Sequence, residues 1–163
     1  LIRVLEDEKQ EPMVRHEAAE ALGAIGTPEN AAILEKYISD PVVEVAETCE
    51  LALARIKWLQ SGKTDDSKSP YNSVDPAPAT EPKTVDELRE ILLNENESLF
   101  NRYRAMFSLR NYRSEAATLA LSAGLKAGSA LFRHEVAFVL GQLQDGVSVP
   151  FLKEVLEDVE ENE

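Results

Sequence analysis

Apolar residues recur at helical spacing along most of the chain. In the first complete example the apolar positions are Val14, Ala18, Ala21, Leu22 and Ile25. They lie at i, i+4, i+7, i+8 and i+11, so they share one face of a helix that Gly26 ends. No segment alternates apolar and polar residues with a period of two, which would indicate a strand. The pattern predicts an all-α protein.

Capping residues and prolines divide this pattern into helices. The expected helix starts are Thr27-Pro28, Asp40-Pro41, the capping box of Thr84 with Glu87, Ser114 and Ser129. After a truncated helix within residues 1–8, the predicted helices span 12–25, 28–39, 41–60, 85–94, 98–111, 115–127, 130–144 and 149–159. Residues 61–83 are rich in Pro, Ser and Asp and have no periodic apolar face, so we expect a flexible, disordered linker there.

The helices repeat. Residues 13–26 return as residues 131–144 with six of fourteen columns identical, namely Arg, His, Glu, Ala, Leu and Gly. Weaker copies stand 31 residues after the first and 31 before the second. Helix pairs at this period predict an α-solenoid of short HEAT-like helical-hairpin repeats. We expect two arrays, residues 1–60 and 84–163, joined by the linker.

The repeated His-Glu pairs are the candidate chemistry. His16-Glu17 and His134-Glu135 contain both histidines of the chain, whereas the weaker copies carry Glu47-Thr48 and Tyr103-Arg104 in those columns. Packing alone therefore does not demand the pair. Imidazole and carboxylate together suit divalent metals, above all iron with open coordination positions. One helix supplies at most two ligands, but two facing helices would supply four.

A helical wheel predicts which face of the helix the His-Glu pairs occupy. His16 falls nearly opposite the Val14–Ile25 face, and Gly23, two turns on, would leave room for something to approach the helix, as would Gly141 beyond His134. Two plainer interpretations stay open. The pairs could belong to a solvated helix face, or each glutamate could form a salt bridge with Arg15 or Arg133.

Charge and cysteine content narrow the class of partner and compartment. A net charge of −13 argues against nucleic acid as a partner and fits a cationic ligand or a basic partner, although it also favours solubility.

Cys49 is the only cysteine and lies in an apolar helix, so we expect its side chain to pack in the core, with no internal disulfide. This favours a reducing, cytoplasmic location. No apolar run approaches the roughly 20 residues of a membrane span, so no membrane is expected as a partner.

Four segments together resemble the deoxyhypusine hydroxylase family. They are residues 14–26, 47–53, 102–107 and 132–142, and the resemblance extends over essentially the whole chain. It implies a HEAT-repeat di-iron monooxygenase that uses O2 to hydroxylate deoxyhypusine on the translation initiation factor five A precursor. By this resemblance His16 and Glu17 are ligands of one Fe²⁺ and His134 of the other, while Glu135 binds that iron or the cationic substrate.

The family carries four His-Glu motifs, and the chain contains two. By the 31-residue period the others would fall near positions −15 and 165, so the resemblance implies a central fragment. Two Fe²⁺ ions are expected per full-length protein, and the fragment alone is expected to be inactive. The alternatives are a non-catalytic HEAT-repeat scaffold that binds a protein, and a bilin-lyase-like HEAT protein.

Overall fold

The computed structural model describes residues 1–63 and 69–161. Within these residues all regular elements are helical, which confirms the all-α prediction. The α-helices are α1 (Ile2–Glu6), α2 (Pro12–Ile25), α3 (Ala31–Tyr37), α4 (Val43–Gln60), α5 (Val85–Leu93), α6 (Leu99–Tyr112), α7 (Glu115–Ala123), α8 (Ala130–Leu143) and α9 (Val149–Leu156). Short 3-10 turns stand at Pro28–Asn30, Gly124–Lys126 and Gly146–Ser148. None of the described helices is long and apolar enough to cross a membrane.

The helices form hairpins in two compact units. The first unit comprises Leu1–Lys68 and Ser73–Pro78, and the second comprises Ser69–Asn72 and Ala79–Glu163. In the first, α1 packs on α2, α3 packs on α4, and α2 packs along α4. In the second, α5 packs on α6, α7 packs on α8, and α6 contacts α8. Stacked helical hairpins confirm the predicted solenoid of HEAT-like repeats.

Most of the predicted caps form. The capping box of Thr84 with Glu87 is complete, and Ser114 and Ser129 each accept a hydrogen bond from the amide three residues on. Gly26 ends α2 with a φ of 71°, in the left-handed region that favours glycine. The expected cap at Thr27 is wrong, because its side chain makes no capping hydrogen bond to the turn that follows.

Each unit has its own apolar core. In the first, Leu5, Leu34, Val45, Cys49 and Ile56 are fully buried. Burial, and secondarily the charge of Asp40, raise the pKa of the Cys49 thiol to about 12. The thiol is therefore protonated and packed, as expected. In the second unit the ring of Tyr103 meets the edge of Phe132 with 5.7 Å between centroids.

The arginine of the repeated motif has a structural role. Arg15 Nε–H donates to the Leu5 carbonyl at 3.0 Å, and Arg102 Nε–H donates to the Leu92 carbonyl at 2.9 Å. Both acceptors lie in the last turn of the preceding helix, where carbonyl groups have no partner within the helix. The same column of the repeat therefore ties α1 to α2 and α5 to α6.

The segment between α4 and α5 has specific contacts where it is described. Of the predicted linker, residues 64–68 lie outside the described residues. The guanidinium of Arg110 lies over the ring of Tyr71 at 4.9 Å, and Arg55 donates to the Asp75 carbonyl at 3.3 Å. Ala77 is fully buried. The flexibility of residues 61–83 stays a prediction.

Candidate metal centre

His16 is buried beside α4, where the helical wheel placed it away from the core. His16 is 7% exposed, whereas Val14 and Ile25, which the wheel assigned to the core face, are 44% and 59% exposed. The predicted orientation of α2 is therefore wrong. The physical reason is that α2 packs on α1 and also along α4, so its buried positions spread over more than one apolar stripe. They are Arg15, His16, Ala18, Ala19, Leu22 and Gly23.

The two motif glycines differ. A Cβ built on Gly23 would lie 2.6 Å from the Cβ of Ala52, so this glycine allows close approach of α2 and α4. What approaches the helix at Gly23 is therefore α4. Around Gly141, apart from its chain neighbours and the backbone of its own helix, no heavy atom of the described residues lies within 4 Å of the added Cβ, so the expected open space is present there.

The two nitrogens of His16 face different neighbours. Nδ1 lies 2.6 Å from the hydroxyl oxygen of Thr48 on α4. Nε2 lies 3.9 Å from Oε1 of Glu17 and 3.8 Å from Oε2 of Glu20. One edge of the imidazole is thus held inside the unit, and the other is turned toward two carboxylates that solvent reaches, with side chains 68% and 39% exposed.

This arrangement has the dimensions of part of a metal site. Imidazole nitrogens and carboxylate oxygens bind divalent ions at about 2.0–2.2 Å, so two ligand atoms on one ion are roughly 3–4 Å apart. The distances from Nε2 to both carboxylates fall in that range. Iron accepts both imidazole nitrogens and carboxylate oxygens as ligands. His16 Nε2 and one neighbouring carboxylate therefore have the spacing of two ligands of one divalent ion.

Glu20 is a further candidate for ligand binding in the first unit. Burial, and then the negative charge of Glu17, raise the pKa of its carboxyl. A cation beside it would relieve both effects, because opposite charge favours the ionised carboxylate. Its four-residue spacing from His16 is the sequence feature that identifies it, since residues i and i+4 are neighbours on a helix.

The second pair lies on α8 in the second unit. His134 is exposed and Glu135 is partly buried. Each of the described units thus contains one of the predicted His-Glu pairs. Among the residues that the structure describes, no group of three or more His, Cys, Asp or Glu side chains could hold a metal ion. Within the described residues, neither His-Glu pair is therefore a complete metal site by itself.

The neighbouring arginines bind other carboxylates. Arg15 forms an ion pair with Asp40 at 2.5 Å, with both side chains 4% exposed. Arg133 Nε donates to Glu161 at 2.9 Å. The alternative in which Glu17 or Glu135 serves as the salt-bridge partner of the adjacent arginine therefore has little support, and both glutamates remain candidates for ligand binding.

Comparison with known proteins agrees with the repeat architecture. A family model described as HEAT repeats matches residues 1–54, and one described as PBS lyase HEAT-like repeat matches residues 132–158. The likeness to lyase-type repeats is confined to that second segment. It fits a shared repeat type better than a shared activity.

Relatives over the whole chain come from one group of proteins. Deoxyhypusine hydroxylase of Drosophila melanogaster is 64% identical over 100% of the chain and 54% of its own length. Deoxyhypusine hydroxylase of Homo sapiens is 59% identical over 99% of the chain and 54% of its own length. The solved structure of the human enzyme in complex with glycerol superposes with a TM-score of 0.94, covering 99% of this chain and 56% of that one. The chain spans about half the length of the curated relatives it matches.

Proposed function

We propose that the protein containing this chain hydroxylates the deoxyhypusine side chain of the translation initiation factor five A precursor. The reason is that the chain belongs to the deoxyhypusine hydroxylase family. The observation that carries the proposal is the 64% identity over the whole length of the chain, the length that contains both His-Glu pairs. A non-catalytic scaffold would need the same solenoid, but it would not need histidine and glutamate in matching columns of two repeats.

The proposed cofactor is a pair of Fe²⁺ ions. His16 and Glu17 would hold one ion, and His134 would hold the other with Glu135 as a further ligand. When bound, the irons supply the O2 activation that oxidation of a C–H bond requires. The support is the geometry at His16, whose Nε2 is turned toward carboxylates at 3.8 and 3.9 Å.

The carboxylates that do not bind iron have a second proposed role. The amines of deoxyhypusine are positive at neutral pH, and charged hydrogen bonds to carboxylates are stronger than neutral ones. Glu135 is the candidate for this contact in the second unit. Glu20, whose carboxyl has a raised pKa, is the candidate in the first. The net charge of −13 favours approach of such a cationic ligand.

The chain by itself supplies too few ligands for two irons. Its two His-Glu pairs provide four groups, whereas catalytic metal sites use about three protein ligands for each ion. We expect the 163-residue chain to lack a stable di-iron centre and to be inactive. We also expect the full-length protein to act in the cytoplasm, as the single cysteine of this chain suggests.

The proposal is tested with the protein of full natural length. Purified protein loaded with Fe²⁺ is incubated with deoxyhypusine-containing substrate and O2, and mass spectrometry detects the addition of one oxygen atom. We expect addition by the wild type and none by His16→Ala or His134→Ala. Ser122→Ala, which removes a buried hydroxyl in the second unit, should retain activity. Addition of oxygen by both histidine variants at the wild-type rate would refute the ligand assignment.

A further inference from the structure

A chain of two hydrogen bonds leads from the backbone of α4 to the ring of His16. The Thr48 hydroxyl lies 2.7 Å from the Glu44 carbonyl, one turn earlier on the same helix, and 2.6 Å from His16 Nδ1. Thr48 is 4% exposed and His16 is 7% exposed, so water does not compete strongly for either bond. The second of these hydrogen bonds joins His16 to Thr48, which lie 32 positions apart in sequence.

Counting protons fixes the direction of both bonds. A carbonyl oxygen only accepts, so the bond to Glu44 uses the single proton of the Thr48 hydroxyl. The Thr48 oxygen must then accept from His16, which requires the proton on Nδ1. In the neutral ring the lone pair consequently lies on Nε2, the nitrogen turned toward Glu17 and Glu20.

We propose that Thr48 is the positioning residue of His16: it holds the imidazole in the Nδ1–H tautomer and aims Nε2 at the metal. The inference rests on the proposed function, because it takes His16 as an iron ligand. Metal-binding histidines generally donate the other ring N–H to an oxygen that fixes the ring. Here that oxygen is a hydroxyl whose own proton is already engaged.

The feature is specific to this helix pair among comparable hydroxyls. Ser108 and Ser122 also donate to the carbonyl four residues earlier, each at 2.8 Å. Ser108 also accepts a hydrogen bond from the Thr80 amide at 2.8 Å. Within the part of the chain that the structure describes, the Ser122 hydroxyl forms no hydrogen bond with a histidine. Several helical hydroxyls of this protein therefore donate to the carbonyl four residues earlier. Among those compared, only the Thr48 hydroxyl also forms a hydrogen bond with a histidine.

The tautomer can be read without iron. In the full-length metal-free protein, ¹⁵N correlation spectra of the imidazoles at a pH where the ring is neutral distinguish Nδ1–H from Nε2–H. We expect Nδ1–H at His16 in the wild type and in Thr48→Ser, which retains the hydroxyl. Thr48→Val, which keeps the shape and removes the hydroxyl, should increase the Nε2–H form. An Nε2–H tautomer in the wild type overturns the proposal, even if Thr48→Val fails to fold.

Metal affinity gives the second readout. Titration of the same metal-free proteins with Fe²⁺ under anaerobic conditions should show about 10–100-fold weaker binding at one site in Thr48→Val. Thr48→Ser should restore it, and Ser122→Ala should match the wild type. Unchanged affinity in a folded Thr48→Val overturns the positioning role. If His16→Ala also bound iron as the wild type does, the proposed function itself would fail, whatever the tautomer.

Discussion

Gly23 on α2 and Ala52 on α4 lie so close that a side chain at Gly23 has no space: an added Cβ would stand 2.6 Å from that of Ala52 and 2.9 Å from its Cα. The neighbouring atoms belong to a rigid residue and its backbone, so relief requires the helices to separate. The same two helices carry His16 and Thr48, whose hydrogen bond depends on their distance. Helix packing and the candidate site are therefore linked.

Gly23→Ala should destabilise the first unit. We expect a loss of about 1–3 kcal/mol, the usual cost of overpacking a core, as the helices move apart. Chemical denaturation measures the loss. Gly141→Ala is the matched control, because the described residues leave its Cβ position open, and alanine there should stabilise the helix by about 0.4–1 kcal/mol. Equal stability of wild type and Gly23→Ala would show that the contact is not tight.

The Arg15–Asp40 pair predicts an acid-sensitive stability. Burial raises the pKa of Asp40, but hydrogen bonds from Arg15 and the Val42 amide more than offset it, so the pKa lies below its usual range. The stabilisation is complete above the unfolded pKa of about 3.9 and is lost as pH falls through the lower folded value. Asp40→Asn leaves a buried cation without its charge partner and should cost about 3–5 kcal/mol at neutral pH.

Denaturation across pH checks this prediction. The difference in unfolding free energy between wild type and Asp40→Asn should be largest near neutral pH and shrink as pH falls below about 4, because Asp40 of the unfolded chain then takes up a proton that the folded chain takes up only at lower pH. Glu29→Gln changes an exposed carboxyl and should stay close to wild type throughout. A difference between wild type and Asp40→Asn that is independent of pH would contradict the ion-pair account.

Two threonines at helix starts should behave differently. Thr84 accepts from the Glu87 amide in a complete capping box, so Thr84→Ala should cost about 1 kcal/mol. Thr27 makes no capping bond, and Thr27→Ala should change stability by less than about 0.5 kcal/mol. Thermal denaturation of the two variants side by side measures the contrast. An equal loss in both would mean that the hydrogen bond at Thr84 contributes little.

Local features of the chain were predictable, and long-range ones were not. The starts of α5, α7 and α8 follow from short capping patterns, because the bonds involved join residues three apart. The rotation of α2 was mispredicted, because packing on two neighbours buries Arg15 and His16, which a hydrophobicity wheel assigns to solvent. Each of these buried side chains forms a hydrogen bond with a residue distant in sequence.

The candidate site shows the same limit. The His-Glu pairs are visible in the sequence because they repeat in matching columns, and Glu20 is visible from its spacing. Thr48 is not, since it stands in the column that holds glutamate in the two His-Glu motifs and meets His16 only through the packing of α2 on α4. A side chain that orients a ligand from another helix requires the fold to be known.

The most direct test of the central claim is the iron content of the full-length protein purified from cells, measured by plasma mass spectrometry against protein concentration. The account predicts two irons per wild-type molecule and a loss of bound iron in both His16→Ala and His134→Ala, with Ser122→Ala unchanged. Two irons retained in either folded histidine variant would contradict it.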